Sequence, residues 1–168
     1  MLKKVKTVAH SRAGGSFAIV ASRYNAKYVD AMLRAAVAEF RQAGARTIVV
    51  RVPGAFEIPA VAASLAAGEL RVAHHASRPS AIICLGVIFQ GQTSHAQHIG
   101  WGVTHALAQI QIQHRMPVIH GVFVFESEEQ ARVRCLGRKH NRGREAAQTA
   151  LKMARGFAAF KKPAPEQG

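Results

Sequence analysis

The chain has 168 residues, a length typical of one domain with a full core, and a formal net charge of +14. Its two cysteines, Cys84 and Cys135, are far apart and lack metal-type pairing, so neither a disulfide framework nor a cysteine-based zinc site is expected. No apolar run reaches the roughly 20 residues of a membrane span and no export signal is visible, which predicts a cytoplasmic protein with no membrane partner.

The positive charge could attract nucleic acid, acidic lipid or small phosphorylated anions. Basic residues are scattered, with higher density near both termini and at 132–144. Aromatic residues are not interleaved with them as a base-stacking platform would require. We therefore expect no specific nucleic-acid binding, and a cationic nucleic-acid-binding protein is an alternative that rests on charge alone.

The predicted elements begin after a basic N-terminal arm at residues 1–15, which could also form an extra edge strand completed by a neighbouring chain. A short apolar strand at 17–21 is followed by Asn25, a residue type that caps helices. The helix after it has apolar residues at helical spacing and ends at Gly44.

A second strand is predicted at 46–52, where apolar and polar residues alternate. Pro53-Gly54 breaks this strand, and Pro59 fits the first turn of the helix that follows. The residues between them therefore form a loop that joins strand to helix. Residues 68–79 show little periodicity and are predicted to be an exposed loop.

The central strand is predicted at 81–89, because an uncharged run with several β-branched residues is typical of a strand covered on both faces. Gly91 gives the backbone room to turn, and Ser94 with Gln97 has the spacing of a helix capping box. His95 is then the first helical residue. The positive end of the helix dipole favours an anion nearby and disfavours a charged imidazole, so His95 could accept a proton.

The remaining predicted elements are a helix from His95 to about residue 114, a strand at 117–125, a helix at 128–136, a basic break at 137–143 and a helix at 145–160. Ser127 with Gln130 has a second capping-box spacing before the 128–136 helix.

Strands that alternate with helices predict an α/β fold, a three-layer αβα sandwich of the flavodoxin-like type on a four-stranded parallel sheet. We expect a single domain over residues 16–160, followed by a polar tail at 161–168. All strand-to-helix loops of such a sheet meet at one edge, which is where open α/β sheets bind ligands.

Three groups of residues carry a resemblance to a known family. They are VPGAFEIP at 52–59, the Gly91-x-Thr93-x-His95 turn, and Glu129-Gln130-Ala131 followed by Arg134 and Asn141-Arg142-Gly143. Together, in this order, they resemble the 6,7-dimethyl-8-ribityllumazine synthases of riboflavin biosynthesis, over most of the chain.

The resemblance implies a transferase that condenses 5-amino-6-(D-ribitylamino)uracil with 3,4-dihydroxy-2-butanone 4-phosphate, releasing phosphate and water without a cofactor or a metal. His95 corresponds to the residue that transfers protons. The positions implied to contact the pyrimidine and its ribityl chain are Tyr24, Ala55, Phe56, Glu57, Val87, Ile88, Phe89 and His120. Those implied to bind phosphate are Gln92, Thr93, Arg134 and Arg142.

The resemblance also implies a homo-oligomer, a pentamer or a multiple of pentamers such as an icosahedral shell, with active sites at subunit interfaces. Arg134 would then reach the active site of an adjacent subunit. Riboflavin synthase is the implied partner protein.

Three features depart from the family pattern. The residues after the histidine are usually an aromatic residue and an acid, but here they are Ala96 and Gln97, so no carboxylate follows His95. His120 stands where phenylalanine is usual, and the 68–79 connection is longer. These differences leave an alternative, a non-catalytic shell protein that binds a flavin or pterin. The other histidines offer no convincing ligand set, so no metal site is predicted.

Overall fold

The computed structural model describes residues 15–70, 78–137 and 139–160, and it centres on a parallel sheet of four strands. In chain order the strands are β1 (Ser16–Ser22), β2 (Arg46–Val52), β3 (Ala81–Phe89) and β4 (Val118–Phe125). Their order across the sheet is β2-β1-β3-β4, and each neighbouring pair is parallel.

Helices cover both faces of this sheet. They are α1 (Ala26–Gln42), α2 (Ile58–Ala67), α3 (His95–His114), α4 (Glu128–Ala131), which continues as a π-helical turn (Arg132–Leu136), and α5 (Arg142–Phe160). One core cluster joins α1 and α5 to the sheet, and a second joins α2 and α3 to the opposite face. The predicted three-layer, flavodoxin-like α/β fold is therefore confirmed. None of the helices in the described ranges combines the length and the apolar character needed to cross a bilayer.

The apolar composition of the inner strands follows from this double covering. All seven residues of β1 are buried, and alternate side chains enter opposite layers, Ile19 facing α1 and α5 while Val20 faces α2 and α3. Ile83 and Ile82 of β3 divide in the same way. Both strands therefore carry apolar side chains on each face, whereas the edge strand β4 contains buried, half-buried and exposed positions.

Two of the predicted helix caps are wrong and one is confirmed. Asn25 precedes α1, but its backbone is left-handed (φ 55°) and its side chain makes no cap hydrogen bond. Ser94 precedes α3 without capping it, because its hydroxyl contacts His98 Nε2 at 3.1 Å instead. Ser127 Oγ does accept a hydrogen bond from the backbone N–H of Gln130, at 3.3 Å.

The last helix begins at Arg142 rather than at the predicted residue 145. The reason is Asn141, whose Oδ1 accepts hydrogen bonds from the N–H groups of Gly143 and the next residue, at 2.9 and 3.3 Å. Gly143 is consequently helical and packs against α1, where an added Cβ atom would lie 1.9 Å from Met32 O. This glycine therefore permits the close approach of α1 and α5.

Several predicted segments lie outside the described residues. They are residues 1–14 of the N-terminal arm, 71–77 of the predicted loop, Arg138 in the basic break and the tail at 161–168.

Candidate functional site

The loops that follow β1 and β2 bring Tyr24 and Glu57 together. The backbone N–H of Tyr24 donates a 3.0 Å hydrogen bond to Pro53 O, which joins the two loops. Glu57 Oε2 accepts a 2.8 Å hydrogen bond from Gly54 N. A Cβ atom at Gly54 would lie 2.8 Å from that oxygen and 3.2 Å from the Tyr24 ring. Because Oε1 makes no hydrogen bond to the described residues, it is available to a ligand hydroxyl.

The rest of the β2 loop lies between β3 and α3. A Cβ atom at Gly86 would be 3.3 Å from Ala55 Cβ, and one at Gly102 would be 3.5 Å from the Phe56 ring. The Phe56 side chain is nevertheless 63% exposed, and Tyr24 is 72% exposed. The loops that carry these two aromatic rings are therefore packed against the fold, while the rings themselves are open to solvent, as a stacking site for a planar ligand requires.

Residues that follow β1 in the chain hold the C-terminal end of β3 in place. The side-chain amide of Asn25 donates a 2.7 Å hydrogen bond to Val87 O, and the Phe89 ring packs edge-on against Tyr28 with centroids 5.6 Å apart. Ile88 packs instead against the core formed with α2 and α3. Asn25 therefore positions the end of β3, a role that was not predicted because the sequence indicates this side chain only as a local helix cap.

The turn after β3 is braced by Gln90. Its Nε2 donates hydrogen bonds to Thr93 O at 2.8 Å and to Gly91 O at 3.0 Å. The side chains of Gln92, Thr93 and His95 are exposed around this turn. Because α3 begins at His95, the turn lies at the positive end of the helix dipole, where an anion is stabilised. Gln90 is a second residue that the sequence analysis missed.

A pocket of about 560 Å³ lies along the edge strand β4, next to the end of β3 with which this strand pairs. Its lining comprises Phe123, Val124, Phe125, Glu129, Gln130, Val133, Arg134 and Arg142, and we call it the edge pocket. The predicted helix at 128–136 changes to π-helical geometry at Arg132, and this turn contributes Val133 and Arg134 to the lining. Such turns are frequent at functional sites.

The charges in the edge pocket favour an anion. The Arg142 guanidinium lies 5.9 Å from the centre of the Phe123 ring and forms a 2.5 Å ion pair with Glu145. Glu129 is already paired with Arg132, with contacts of 2.8 and 2.7 Å, and these hydrogen bonds lower the pKa of the Glu129 carboxyl. Arg134 has no ion-pair partner among the described residues, so its charge is available to a ligand.

The predicted site residues therefore form two groups on one chain. The group that we call the rim comprises Tyr24, Ala55, Phe56, Glu57, Val87, Ile88, Phe89, Gln92, Thr93 and His95. Arg134 and Arg142 lie in the edge pocket, whose lining includes no rim residue. The predicted phosphate ligands are thus divided between the two groups.

His120 lies beside the edge pocket, on β4. Its ring is 6.4 Å from the Phe123 ring, nearly perpendicular to it, and Phe123 in turn stacks on Phe125 at 5.9 Å. His120 Nε2 is 3.0 Å from Thr104 Oγ1 on α3. Burial lowers the pKa of the His120 imidazole, although a hydrogen bond with its own backbone opposes this effect.

No group of three or more His, Cys, Asp or Glu side chains that could hold a metal ion occurs within the described ranges. Both cysteines are free and buried. Burial raises the pKa of the Cys84 thiol, and it raises that of Cys135 to about 11. Neither thiol is therefore an activated nucleophile.

Comparison with known proteins identifies the family. Residues 14–157 match the family model for 6,7-dimethyl-8-ribityllumazine synthase. Proteins with that name from Stenotrophomonas maltophilia R551-3 and Frankia casuarinae are each 39% identical to this chain, over 140 and 146 residues. These alignments cover 82% and 84% of this chain and 85% of each relative. A third protein with that name, from Xylella fastidiosa 9a5c, is also 39% identical, over 84% of this chain and 88% of its own length.

These matches confirm the resemblance carried by the three groups of motif residues. They extend over the rim, the edge pocket and both core layers, so they concern the whole described fold rather than one motif. The chain belongs to the 6,7-dimethyl-8-ribityllumazine synthase family.

Proposed function

We propose that this chain condenses 5-amino-6-(D-ribitylamino)uracil with 3,4-dihydroxy-2-butanone 4-phosphate, giving 6,7-dimethyl-8-ribityllumazine, phosphate and water. The names of its relatives support this reaction. The main structural support for this reaction is the composition of the rim. An exposed aromatic ring, a carboxylate hydrogen-bonded to the backbone and a histidine at the start of a helix occupy the same edge of the sheet. These groups suit a planar ring, a polyol chain and a proton transfer.

In this proposal the pyrimidine and its ribityl chain bind to the first part of the rim. Tyr24 and Phe56 present exposed ring faces for stacking. Glu57 Oε1 accepts a hydrogen bond from a ribityl hydroxyl, while Oε2 remains bound to Gly54 N. The end of β3 at Val87–Phe89, with Ala55 beside it, contacts the edge of the pyrimidine.

The phosphorylated substrate binds at the turn before α3. Gln92 and Thr93 provide hydrogen bonds to its phosphate, and the helix dipole stabilises the negative charge. His95 transfers protons as the substrate amine adds to the carbonyl, as water and phosphate leave, and as the ring closes. Such proton transfer contributes about 10²- to 10⁴-fold to a rate. Holding two substrates in one orientation contributes further.

His95 works without the carboxylate that usually follows it in the family. Ala96 is buried and Gln97 is exposed, and no described side chain hydrogen-bonds to the His95 ring. No acid in the described part of this chain therefore fixes the tautomer of His95.

The proposal extends to the assembly. By its place in the family motif, Arg134 completes the phosphate site of an adjacent subunit, and Arg142, which lines the same edge pocket, would act there with it. The chain then forms a homo-oligomer, a pentamer or a multiple of pentamers. Association with riboflavin synthase and a cytoplasmic location belong to the same proposal.

The test is direct. Purified protein is mixed with both substrates, and formation of the lumazine chromophore is compared with the uncatalysed reaction under the same conditions. Acceleration supports the proposal. Binding of the pyrimidine without acceleration would overturn it and would favour the non-catalytic flavin- or pterin-binding shell protein. A native mass measurement on the same sample determines the number of subunits.

A further inference from the structure

The side chain of Asn141 joins two elements that line the edge pocket. Its Nδ2 donates a hydrogen bond to Cys135 O, at the end of the π-helical turn. Its Oδ1 accepts hydrogen bonds from the backbone N–H groups of Gly143 and Arg144, in the first turn of α5. Asn141 is only 7% exposed. Because two N–H groups and one carbonyl oxygen face the amide, only one orientation of this side chain satisfies all three contacts.

The bond to Cys135 O closes the end of the π-helical turn. The turn ends at Leu136, and the backbone of Gly137 is already extended (ψ 139°). The last carbonyl oxygens of a helix have no N–H partner within the helix itself, so they need a donor from elsewhere. The Asn141 amide is that donor for Cys135 O.

The start of the same segment is held by other residues. Tyr28 Oη on α1 donates a 2.5 Å hydrogen bond to Glu128 Oε1, and Lys27 Nζ lies 3.1 Å from the same oxygen. Ser127 Oγ caps α4. The segment formed by α4 and the π-helical turn is therefore attached to α1 at its start and to Asn141 at its end.

Two arginines depend on Asn141 in different ways. Arg134 directly precedes Cys135, so the hydrogen bond from Nδ2 restrains the backbone that carries its side chain. Arg142 is the first residue of α5, the helix start that Oδ1 caps. Both side chains line the edge pocket. A guanidinium binds phosphate through directed hydrogen bonds, so small displacements of the backbone beneath it weaken that contact.

We propose that Asn141 is a positioning residue for the phosphorylated substrate, because its amide holds the backbone that carries Arg134 and, separately, the helix start that carries Arg142. The identity of the ligand rests on the proposed function, whereas the two attachments do not.

Asn141→Ser separates the two attachments. A serine hydroxyl can cap α5 but lacks the NH₂ group that binds Cys135 O, whereas Asn141→Ala, of nearly the same size, loses both contacts. Hydrogen–deuterium exchange followed by mass spectrometry should show faster exchange at 132–137 in both variants, and at 143–146 in Asn141→Ala alone. Wild-type exchange at 132–137 in Asn141→Ser, or at 143–146 in Asn141→Ala, would overturn the proposal.

Steady-state kinetics test whether the first attachment positions Arg134. Asn141→Ser should raise KM for the phosphorylated substrate about three- to tenfold, with kcat and KM for the pyrimidine nearly unchanged. In an Arg134→Ala background the same substitution should have no further effect, whereas in an Arg142→Ala background it should have its full effect. A general loss of structure would instead impair the use of both substrates and would contradict a positioning role.

The remaining outcomes separate this inference from the proposed function. An equal rise of KM in the Arg134→Ala background would show that Asn141 does not act through Arg134 and would refute the inference. An unchanged KM in an active Asn141→Ser enzyme would also refute it, while the proposed function would stand. A wild-type protein that forms no lumazine would refute the phosphate assignment together with the proposed function, and the exchange rates would still decide whether Asn141 holds the two elements.

Discussion

The amide group of Asn25 and the carbonyl oxygen of Val87 form a 2.7 Å hydrogen bond between residues that are 62 positions apart in the sequence. This bond fixes the end of β3 to the loop that carries Tyr24. Two parts of the proposed pyrimidine site are therefore held together by one side chain that does not itself belong to the predicted contacts.

We expect Asn25→Gly to lower the free energy of unfolding by about 1 kcal/mol, because it removes this hydrogen bond while tolerating the left-handed backbone. The KM for the pyrimidine should rise a few-fold, as the strand end loses its attachment. Chemical denaturation and steady-state kinetics measure the two effects. Arg115→Gly is the matched control, since Arg115 is the other non-glycine residue with positive φ in the described ranges; this variant should be neutral or more stable. Equal behaviour of the two variants would contradict the role of Asn25.

Gly143→Ala should destabilise the fold by about 3 kcal/mol or more, at the upper end of overpacking effects. The added methyl group would lie 1.9 Å from a backbone oxygen of α1, so one of the two helices has to move. Gly156→Ala is the control in the same helix, where nothing lies within 4 Å of the added atom. It should increase stability by about 0.5–1 kcal/mol through helix propensity. Thermal unfolding of both variants separates the effect of helix–helix packing from the effect of helix propensity. A loss of stability in both variants would contradict the explanation that the added methyl group at Gly143 clashes with α1.

His95→Ala should reduce kcat about 10²- to 10⁴-fold and leave both KM values within a few-fold of wild type, because positioning of the substrates survives. His98→Ala removes another exposed histidine from the first turn of α3 and serves as the control; it should retain most of the activity. Formation of the lumazine chromophore reports both. A normal rate in His95→Ala would exclude this residue from proton transfer.

Arg134→Ala should raise KM for the phosphorylated substrate by about 10-fold or more, the cost of one charge-assisted contact, with little change in KM for the pyrimidine. Lys152→Ala removes the same charge from an exposed position on α5 outside the edge pocket, which makes it a suitable control. If both substrates were weakened equally, the assignment of Arg134 to phosphate would be wrong.

The strands were predictable from local patterns, since uncharged runs predicted β1 and β3, whose faces are both covered. The capping-box spacing was a poorer guide, because it predicted the cap at Ser127 correctly but failed at Ser94, whose hydroxyl contacts His98 instead. The parts of the fold that depend on distant contacts were not predictable. Nothing near Asn25 in the sequence indicates that its amide binds Val87 O rather than the helix start.

The same distinction applies to the site. The family motifs predicted the rim residues and the two arginines as the site, but local spacing gives no sign that Arg134 lines a pocket along β4. The role of Gln90 also depends on the folded turn, since its side chain donates to backbone oxygens of Gly91 and Thr93, a contact that the motif itself does not indicate. Asn141 is the exception: its cap on α5 is local and could have been read from the sequence.

The position of Arg134 in the edge pocket has a genetic consequence if an adjacent subunit uses it. If each active site combines His95 of one subunit with Arg134 of the next, a subunit that lacks His95 can still supply an intact arginine, and a subunit that lacks Arg134 can still supply an intact histidine. Co-expressed His95→Ala and Arg134→Ala chains should therefore complement each other. Mixed rings would contain some sites in which both residues are intact, and at low concentrations of the phosphorylated substrate they would be more active than either variant alone. Separately assembled variants that are mixed afterwards would not show this gain until their subunits exchange.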